Sequence, residues 1–183
     1  LGCDVITEKP LCTDEKMCQE IMDAEKRTNR NIRVTFNYRY GPAAARVKEL
    51  LMSGEIGKIT SVDFSYYLNT DHGASYYRRW HAYKQFNGSL LVHKSTHHFD
   101  LLNWWLDGEP VHVNAHGDLR HYGWNGEYYG DRCMTCAHKG VCPYFWDITK
   151  NEFLMNLYVN CESSDGYIRD ACLYRRDINT WDT

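Results

Sequence analysis

The spacing of apolar side chains changes repeatedly along the first 115 residues, and this alternation restricts the folds open to the chain. Residues 32–38 carry apolar side chains at every second position, the period of a half-buried strand, and the same alternation runs from Val62 to Leu68 in a long strand predicted over 57–68. Residues 14–28 and 95–107 repeat them every three or four positions, the period of an amphipathic helix. Interleaved strands and helices predict an α+β fold in which helices cover one face of a mostly antiparallel or mixed open sheet.

Shorter segments complete the predicted order of elements. Residues 3–7 are predicted to form a short buried strand, and Pro42 suits the first turn of a helix that Ser53 and Gly54 close. Further strands are predicted at 111–115, 151–160 and 166–174. The segment 117–150 has no regular period and is rich in Gly, Cys and aromatic residues, so we expect an irregular insert there.

The charge and hydropathy of the chain exclude two classes of partner. Lys and Arg number 21 and Asp and Glu number 24, and the net charge of −3 argues against binding to a nucleic-acid backbone. No apolar run reaches the roughly 18 residues that a membrane span needs. The sequence begins with Leu1 rather than Met and shows no signal peptide, so we expect a processed chain or a piece of a longer protein.

The eight cysteines fall into two groups. Cys3, Cys12 and Cys18 lie within apolar patterns and are predicted to be buried thiols that act as small hydrophobic side chains. A chain of this size does not need disulfides to stabilise its core. A reducing compartment, and with it a cytoplasmic location, is therefore the expectation.

Three cysteines of the second group have a tight spacing, Cys133-x-x-Cys136 followed after five residues by Cys142. Three thiolates on a compact loop are suited to a structural Zn²⁺ that would hold the irregular insert together. The candidates for a fourth ligand are His138, Cys161 and Cys172. A disulfide and free thiols are the alternatives that the spacing leaves open.

Two short stretches carry the residue types that chemistry needs. Glu8, Lys9 and Pro10 follow the predicted first strand directly, and a lysine at the carboxyl end of a buried strand points into the crevice where α/β sheets bind ligands. A solvated turn is the alternative there.

The second stretch is His93, Lys94, His97 and His98, which crowd three imidazoles and an ammonium into six residues at the start of a helix. These side chains are suited to acid/base catalysis, metal binding or anion binding. The H-E-x-x-H pattern of zinc proteases does not occur.

Four motifs in the same order resemble the Gfo/Idh/MocA oxidoreductases, the relatives of glucose-fructose oxidoreductase and inositol dehydrogenase. Residues 2–11 resemble the family's G-x-x-V-x-x-E-K-P motif, and residues 39–42 resemble its R-x-x-P turn. Residues 54–57 resemble the G-x-I-G turn before its first long strand. Residues 88–100 resemble its G-G-x-x-x-D-x-G-x-H-x-x-D helix, with His97 at the catalytic histidine and the last residue at the final Asp.

The resemblance implies a two-part enzyme, with an N-terminal Rossmann domain for NAD or NADP and a C-terminal α/β domain. Residues 1–30 would be the last strand-helix unit of the Rossmann domain. Residues 31–183 would be the substrate and oligomerisation domain, incomplete at its end, with a Cys-rich insert at about 117–150. The G-x-G-x-x-G fingerprint does not occur, so we expect a fragment that cannot bind the cofactor alone.

The resemblance also implies roles for individual residues. Lys9 would contact the substrate hydroxyl and the nicotinamide ribose, with Glu8 and Pro10 beside the cofactor, and the Lys9–Pro10 bond is predicted to be cis. His97 would be the acid/base for the hydroxyl proton during hydride transfer. His93, a second candidate catalytic residue, stands where the family often has Asp.

Further departures from the family pattern are Lys94, an added cation, and Ser95 in place of a glycine. They predict a more basic pocket, suited to an acidic or phosphorylated sugar. The candidate substrate-binding residues are Lys94, Arg78, Arg79, Trp80, His81 and His98.

The implied function is NAD(P)-dependent oxidation of a hydroxyl on a sugar or polyol. The alternatives are an NAD-dependent glycosidase of the same family and a non-catalytic module that associates through its sheet. The expected partners are a small sugar or polyol and further copies of the chain, through the open face of the sheet, with no nucleic acid and no membrane.

Overall fold

The structure, a computed structural model, describes residues 2–183, so the first residue of the predicted 1–30 segment lies outside the described part. The chain forms two compact units. The first unit contains the described residues up to Tyr66 together with Asn87–His116. The second unit contains Tyr67–Phe86 and Gly117–Thr183.

In chain order the strands and helices are β1 (Val5–Thr7), α1 (Glu15–Thr28), β2 (Ile32–Val34), α2 (Pro42–Ser53), α3 (Thr70–Tyr77), α4 (Lys84–Asn87), α5 (Leu90–His93), α6 (Thr96–Leu106), α7 (Glu152–Leu157) and α8 (Glu162–Asp165). Short 3₁₀ turns occur between them, among them Asn37–Tyr40 and Val159–Cys161.

The helix predicted at 14–28 is confirmed as α1. The Asp14 carboxylate accepts a hydrogen bond from the Met17 backbone N–H at 2.8 Å and so caps the first turn. Asn29 ends the helix in the left-handed conformation, with φ of 51°. The helix links β1 to β2, which pair in parallel, so the predicted strand-helix order at the start of the chain is also confirmed.

The predicted helices at 42–53 and 95–107 are confirmed as α2 and α6, which pack together in the first unit. The Trp105 indole Nε1 donates a hydrogen bond to the Ala44 carbonyl oxygen at 2.9 Å. The Trp104 ring lies 6.0 Å from the Lys48 ammonium, measured to the ring centroid. The two tryptophans therefore combine apolar contact with polar contacts, as aromatic side chains of this kind usually do.

The predicted open sheet is wrong for the described residues, where the structure contains one two-stranded parallel sheet, β1 with β2. Residues 57–68 form no strand although their pattern alternates. In the first unit, the Phe64 and Tyr66 rings lie 5.2 and 4.3 Å from the His98 ring. An alternating apolar pattern determines which side chains share a face. A strand also needs a neighbouring strand that pairs with its backbone N–H and C=O groups. The face expected to form a subunit interface is therefore not part of the described structure.

The other strand predictions are also wrong. Residues 111–115 are irregular, and 166–174 contribute only the single antiparallel bridge between Arg132 and Ala171. Residues 151–160 form α7 and a 3₁₀ turn instead. The Asn151 side chain accepts a hydrogen bond from the Leu154 N–H at 3.0 Å, and this N-cap favours a helix over an extended chain.

The predicted burial of the first strand and of Cys3, Cys12 and Cys18 is also wrong. Ile6 in β1 is 76% exposed, because a pair of strands with three residues each leaves its side chains uncovered. Cys3 is exposed, and Cys12 and Cys18 are partly exposed. All eight cysteines are free thiols in the structure, so the disulfide alternative is not realised.

The core of the second unit is aromatic, and hydrogen bonds to one partly exposed carboxylate hold the chain beside it. Tyr77 is almost fully buried and stacks on Tyr122 with ring centroids 4.4 Å apart. The Asp182 carboxylate accepts three backbone N–H bonds from residues 120–122, at 2.7 to 2.9 Å. This carboxylate holds the end of the described chain against the segment that contains Tyr122. Among residues 2–183, no helix has the length and apolar character that crossing a membrane requires.

Candidate functional site

Lys9 and the helix pair α5–α6 come together in the first unit. The Lys9 ammonium donates a hydrogen bond to the His93 carbonyl oxygen at 2.7 Å, across 84 residues of sequence. The Lys9–Pro10 peptide bond is cis, as predicted. Gly88, just before α5, has φ of +72°, and a Cβ there would lie 2.7 Å from the Thr13 carbonyl oxygen. A glycine therefore allows the chain to enter α5 close to the segment that follows Lys9.

The His97 imidazole is buried and held between aromatic side chains. The Tyr38 ring stacks on it with centroids 4.0 Å apart and an interplanar angle of 2°. Phe36 approaches its edge at 6.3 Å. Its Nδ1 atom is buried and has no hydrogen-bond partner among the described residues. The ring is thus fixed in orientation and retains a buried polar atom that is available to a ligand.

Positive charges surround this imidazole. Burial, followed by Lys9, His98 and Lys94, lowers the pKa of His97 below its ordinary value, and Asp100 opposes the shift. Burial and Lys94 lower the pKa of Lys9, which Glu8 partly opposes. At neutral pH the His97 ring is therefore neutral, the form that can accept a proton.

His98, the next residue of α6, has a different set of close ring neighbours, although Tyr38 also lies 6.4 Å from its ring. Tyr66 lies 4.3 Å from its ring and Phe64 lies 5.2 Å away, both measured between centroids. Burial and then Lys94 lower the pKa of His98 as well. Its aromatic surroundings are those of a packed side chain, so the predicted contact of His98 with substrate stays a prediction.

Nuclear magnetic resonance titration of the histidine ring signals tests the charge coupling in this cluster. We expect a pKa for His97 below the ordinary value of about 6.5. Lys9→Met removes one of the charges that lower it, so the pKa should rise while burial keeps it below that of an exposed histidine.

Lys58→Met, a change at an exposed lysine of the same unit, should leave the titration of His97 unchanged. An unmoved pKa in Lys9→Met, or an equal shift in both variants, would show that Lys9 does not act on His97.

An ion pair holds α6 against the turn that carries Tyr38. Arg39 Nε donates to Asp100 Oδ2 at 2.7 Å and its Nη2 donates to Asp100 Oδ1, so the contact is bidentate. Asp100 is buried, whereas the Arg39 side chain is 36% exposed. This pair places the stacking partner of His97 on the turn directly beside α6.

Removal of the arginine from this pair should destabilise the fold measurably. Arg39→Met leaves the buried Asp100 carboxylate without its partner, and we expect a loss of about 1–3 kcal/mol in the free energy of unfolding. Urea denaturation measures the change. The matched control is Arg46→Met, whose partner Glu49 is 67% exposed, and a change within about 0.5 kcal/mol is expected there. Equal losses in both variants would contradict the assignment.

The predicted substrate residues at 78–81 lie in the second unit, where two of them have structural contacts. The Arg78 guanidinium is buried and donates to the Ala171 carbonyl oxygen at 3.0 Å. His81 is buried between Tyr76 and Trp80, with its ring 3.7 Å from the Trp80 centroid. Arg79 and Trp80 line a cavity of the same unit.

The cysteines proposed as zinc ligands are not arranged as a metal site. Cys133 is buried and accepts a hydrogen bond from Arg78 Nη1 at 3.1 Å, while Cys136 and Cys142 are partly exposed. Among residues 2–183, no three His, Cys, Asp or Glu side chains are placed so that they could hold a metal ion. The predicted zinc site is therefore corrected, because the sulfur of Cys133 is occupied by a guanidinium.

Sequence reasoning did not identify Tyr38 as part of the site. Its place in an alternating pattern indicated a strand, and only the 3₁₀ turn Asn37–Tyr40 brings its ring parallel to His97. Arg39 was identified only as part of a turn motif. Its partner Asp100 stands 61 residues further along the chain, and no local pattern connects the two.

Comparison with known proteins supports the resemblance found in the motifs. Residues 48–157 match the model of the oxidoreductase family, C-terminal alpha/beta domain (GFO_IDH_MocA_C). The chain belongs to the Gfo/Idh/MocA family. This match includes the second half of α2, all of α6 and the site histidines.

Several curated relatives of this Gfo/Idh/MocA chain are oxidoreductases by name. YteT of Bacillus subtilis, assigned as an oxidoreductase, is 42% identical over 98% of this chain and 45% of its own length. Levoglucosan dehydrogenase of Pseudarthrobacter phenanthrenivorans is 34% identical over 62% of this chain and 29% of its own. Inositol 2-dehydrogenase of Gluconacetobacter diazotrophicus is 32% identical over 60% and 30%. The chain thus spans less than half the length of these relatives.

Proposed function

We propose that this chain supplies the proton-handling part of an NAD(P)-dependent oxidoreductase that oxidises a hydroxyl of a sugar or polyol. The observation that carries the proposal is the buried His97 imidazole, which stacks on Tyr38 and keeps an unpartnered Nδ1, and whose pKa is lowered by burial and by Lys9. Relatives named as inositol and levoglucosan dehydrogenases support the substrate class.

The cluster suits both a nicotinamide and a hydroxyl substrate. The unpartnered Nδ1 of His97 and the half-buried Lys9 ammonium provide polar atoms beside an otherwise aromatic wall. Glu8, Lys9 and Pro10 would hold the nicotinamide end of the cofactor. When bound, the oxidised nicotinamide supplies the acceptor for hydride from the carbon that bears the hydroxyl.

His97 and Lys9 would have different roles in removing the proton from the substrate hydroxyl. The neutral His97 imidazole accepts the hydroxyl proton, and the positive charge of Lys9 stabilises the oxygen as negative charge develops on it. The hydrogen bond from Lys9 to the His93 carbonyl oxygen holds the ammonium in place. His93 therefore positions Lys9 through its backbone, and Lys94 adds positive charge that keeps His97 neutral.

The proposal places this chain within a longer protein, because its curated relatives are more than twice as long as the parts they share with it. Residues 1–30 would be the end of a nucleotide-binding domain, and 31–183 would belong to the substrate domain. The whole protein would then act on a small sugar or polyol without nucleic acid or membrane.

Formation of reduced nicotinamide, followed by absorbance, tests the function in the whole protein. NAD⁺ and NADP⁺ are each supplied with a panel of polyols and sugars that includes myo-inositol. We expect turnover that depends on both a cofactor and a hydroxyl substrate. Calorimetry should show cofactor binding to the whole protein and none to residues 1–183 alone. Failure of both cofactors to bind the whole protein would overturn the proposal.

A further inference from the structure

The second unit contains a cavity of about 760 Å³, within the range of roughly 300–1,000 Å³ common for small-molecule sites. Five arginines line it, together with aromatic side chains and two aspartates. The arginines are Arg78, Arg79, Arg132, Arg175 and Arg176. We call it the arginine cavity. Its residues all belong to the second unit.

Three of these arginines already have strong partners within the protein. Arg132 donates to the Glu162 and Asp170 carboxylates, at 2.7 Å for Glu162. Arg175 Nε lies 3.1 Å from an Asp177 carboxylate oxygen. Arg78, described above, is bonded to backbone carbonyl oxygens and a sulfur. These guanidinium groups form part of the cavity wall, and their bonds to carboxylates, carbonyl oxygens and a sulfur lie within the protein, although the Nε atoms of Arg132 and Arg175 have no hydrogen-bond partner among the described residues.

The remaining two arginines have no carboxylate within ion-pair distance among the described residues. Arg79 donates through Nε to the Ser75 carbonyl oxygen at 3.1 Å, which leaves the outer nitrogens of its guanidinium for a ligand. Arg176 is exposed, and its guanidinium carbon lies 4.3 Å from the centroid of the Tyr129 ring. Two uncompensated guanidinium groups at one cavity favour a ligand with negative charge.

A further cation, Arg169, does not line the arginine cavity and bonds Ser75 Oγ rather than a carboxylate. Arg169 lies over Trp146, 4.9 Å from the ring centroid, and its Nη1 atom is buried without a hydrogen-bond partner among the described residues. Burial, and Arg79 after it, lower the pKa of Arg169, while Tyr167 opposes the shift. Arg79 and Arg169 therefore repel each other, and neither has a carboxylate within ion-pair distance among the described residues.

The other cavity side chains are those that recognise a polar ring. Trp80, Phe86 and Tyr129 are 42%, 57% and 52% exposed, so that much of their aromatic surface is open for contact. Asp131 is exposed and has no side-chain hydrogen bond or ion pair within the described structure. A free carboxylate accepts hydrogen bonds from hydroxyl groups, and aromatic faces contact the apolar face of a ring.

We propose that the arginine cavity binds an anionic saccharide, a sugar whose ring carries a carboxylate or phosphate group. Arg79 and Arg176 pair with the anionic group, Asp131 accepts hydrogen bonds from sugar hydroxyls, and Trp80 and Tyr129 contact the ring. A bare inorganic anion uses only the two arginines, and a neutral sugar leaves them unpaired. The proposal does not rest on the oxidoreductase activity, because binding is measured without cofactor.

Calorimetric titration of the 183-residue chain with four probes tests this proposal. The probes are glucuronate, glucose 6-phosphate, glucose and inorganic phosphate. We expect glucuronate or glucose 6-phosphate to bind at least tenfold more tightly than both glucose and inorganic phosphate. The tighter of the two charged sugars identifies the anionic group. Glucose or inorganic phosphate binding as tightly as the better charged sugar would overturn the proposal.

Variants connect the binding to the cavity. Arg79→Gln combined with Arg176→Gln should weaken binding of the charged sugar at least tenfold, and Asp131→Asn should weaken the charged sugars but not inorganic phosphate. Arg30→Gln, at an exposed arginine of the first unit, is the matched control and should leave affinity within twofold. If the double variant fails to fold, the salt dependence of the unmodified chain decides. Affinity for the charged sugar should fall between low salt and about 0.15 M, and unchanged affinity would overturn the pairing with exposed arginines.

Discussion

His97→Asn in the whole protein is expected to lower kcat by about 10²–10⁴-fold, the usual contribution of a positioned general base. The side chain stays polar and close in size, so the stacking position against Tyr38 is filled, but the group that accepts a proton is lost. Rates of nicotinamide reduction measure the effect. Affinity for NAD(P), measured by calorimetry, should stay within a few-fold, because the lost interaction is with the hydroxyl proton.

His112→Asn is the matched control for this experiment, since His112 is an exposed histidine of the same unit. It should leave kcat unchanged. A kcat in His97→Asn close to that of the unmodified protein would show that another group takes the proton. The acid limb of kcat/KM provides a second readout. Because the pKa of His97 is lowered, activity should persist below about pH 6.5. In the residual activity of Lys9→Met, the acid limb of kcat/KM should lie at higher pH, because one charge that lowers the pKa of His97 is gone.

The largest expected effect on stability is at Arg132 in the second unit. Its guanidinium bonds both Glu162 and Asp170, and Asp170 is fully buried. The other Asp170 carboxylate oxygen accepts the Met134 N–H at 2.8 Å, so the network anchors the 131–134 segment. Arg132→Met leaves two carboxylates together without their cation. We expect a loss of about 3–5 kcal/mol in the free energy of unfolding, or failure to fold.

Arg120→Met is the matched control within the same unit, because the Arg120–Asp118 pair is 73% and 56% exposed. It should change the free energy of unfolding by no more than about 0.5 kcal/mol. Adding Asp170→Asn to Arg132→Met should recover part of the loss, since the amide oxygen can still accept the Met134 N–H while the buried charge is gone. No recovery, or equal losses at Arg120 and Arg132, would contradict this account of the network.

In the proposed catalytic cluster, residue 93 contributes a backbone atom, so the departure from the family pattern there leaves the Lys9 contact in place. The Lys9 ammonium bonds the backbone oxygen there, which any residue supplies. The His93 side chain is therefore not required for this contact. At Lys94, by contrast, the side chain itself is needed, because its charge lowers the pKa of His97 and of Lys9.

Local patterns predicted the helices because their determinants are close in sequence. Residues 14–28 carry both an apolar period and a capping aspartate, and 95–107 concentrate large apolar side chains on one turn after another. The predicted strands failed where a partner was needed. At 151–160 an N-cap asparagine favoured a helix, and at 57–68 the alternating aromatic side chains surround His98 without any strand beside them.

By itself the sequence determined the family, the helices α1, α2 and α6, and the identity of Lys9 and His97 as candidates, because each depends on residues within one short segment. Tertiary structure alone decided what those residues touch. The neutral state of His97 comes from burial and from Lys9, which stands 88 positions earlier in the chain. The arginine cavity and the occupied sulfur of Cys133 are likewise contacts between distant segments. Burial and charge act through space, so no local pattern could specify them.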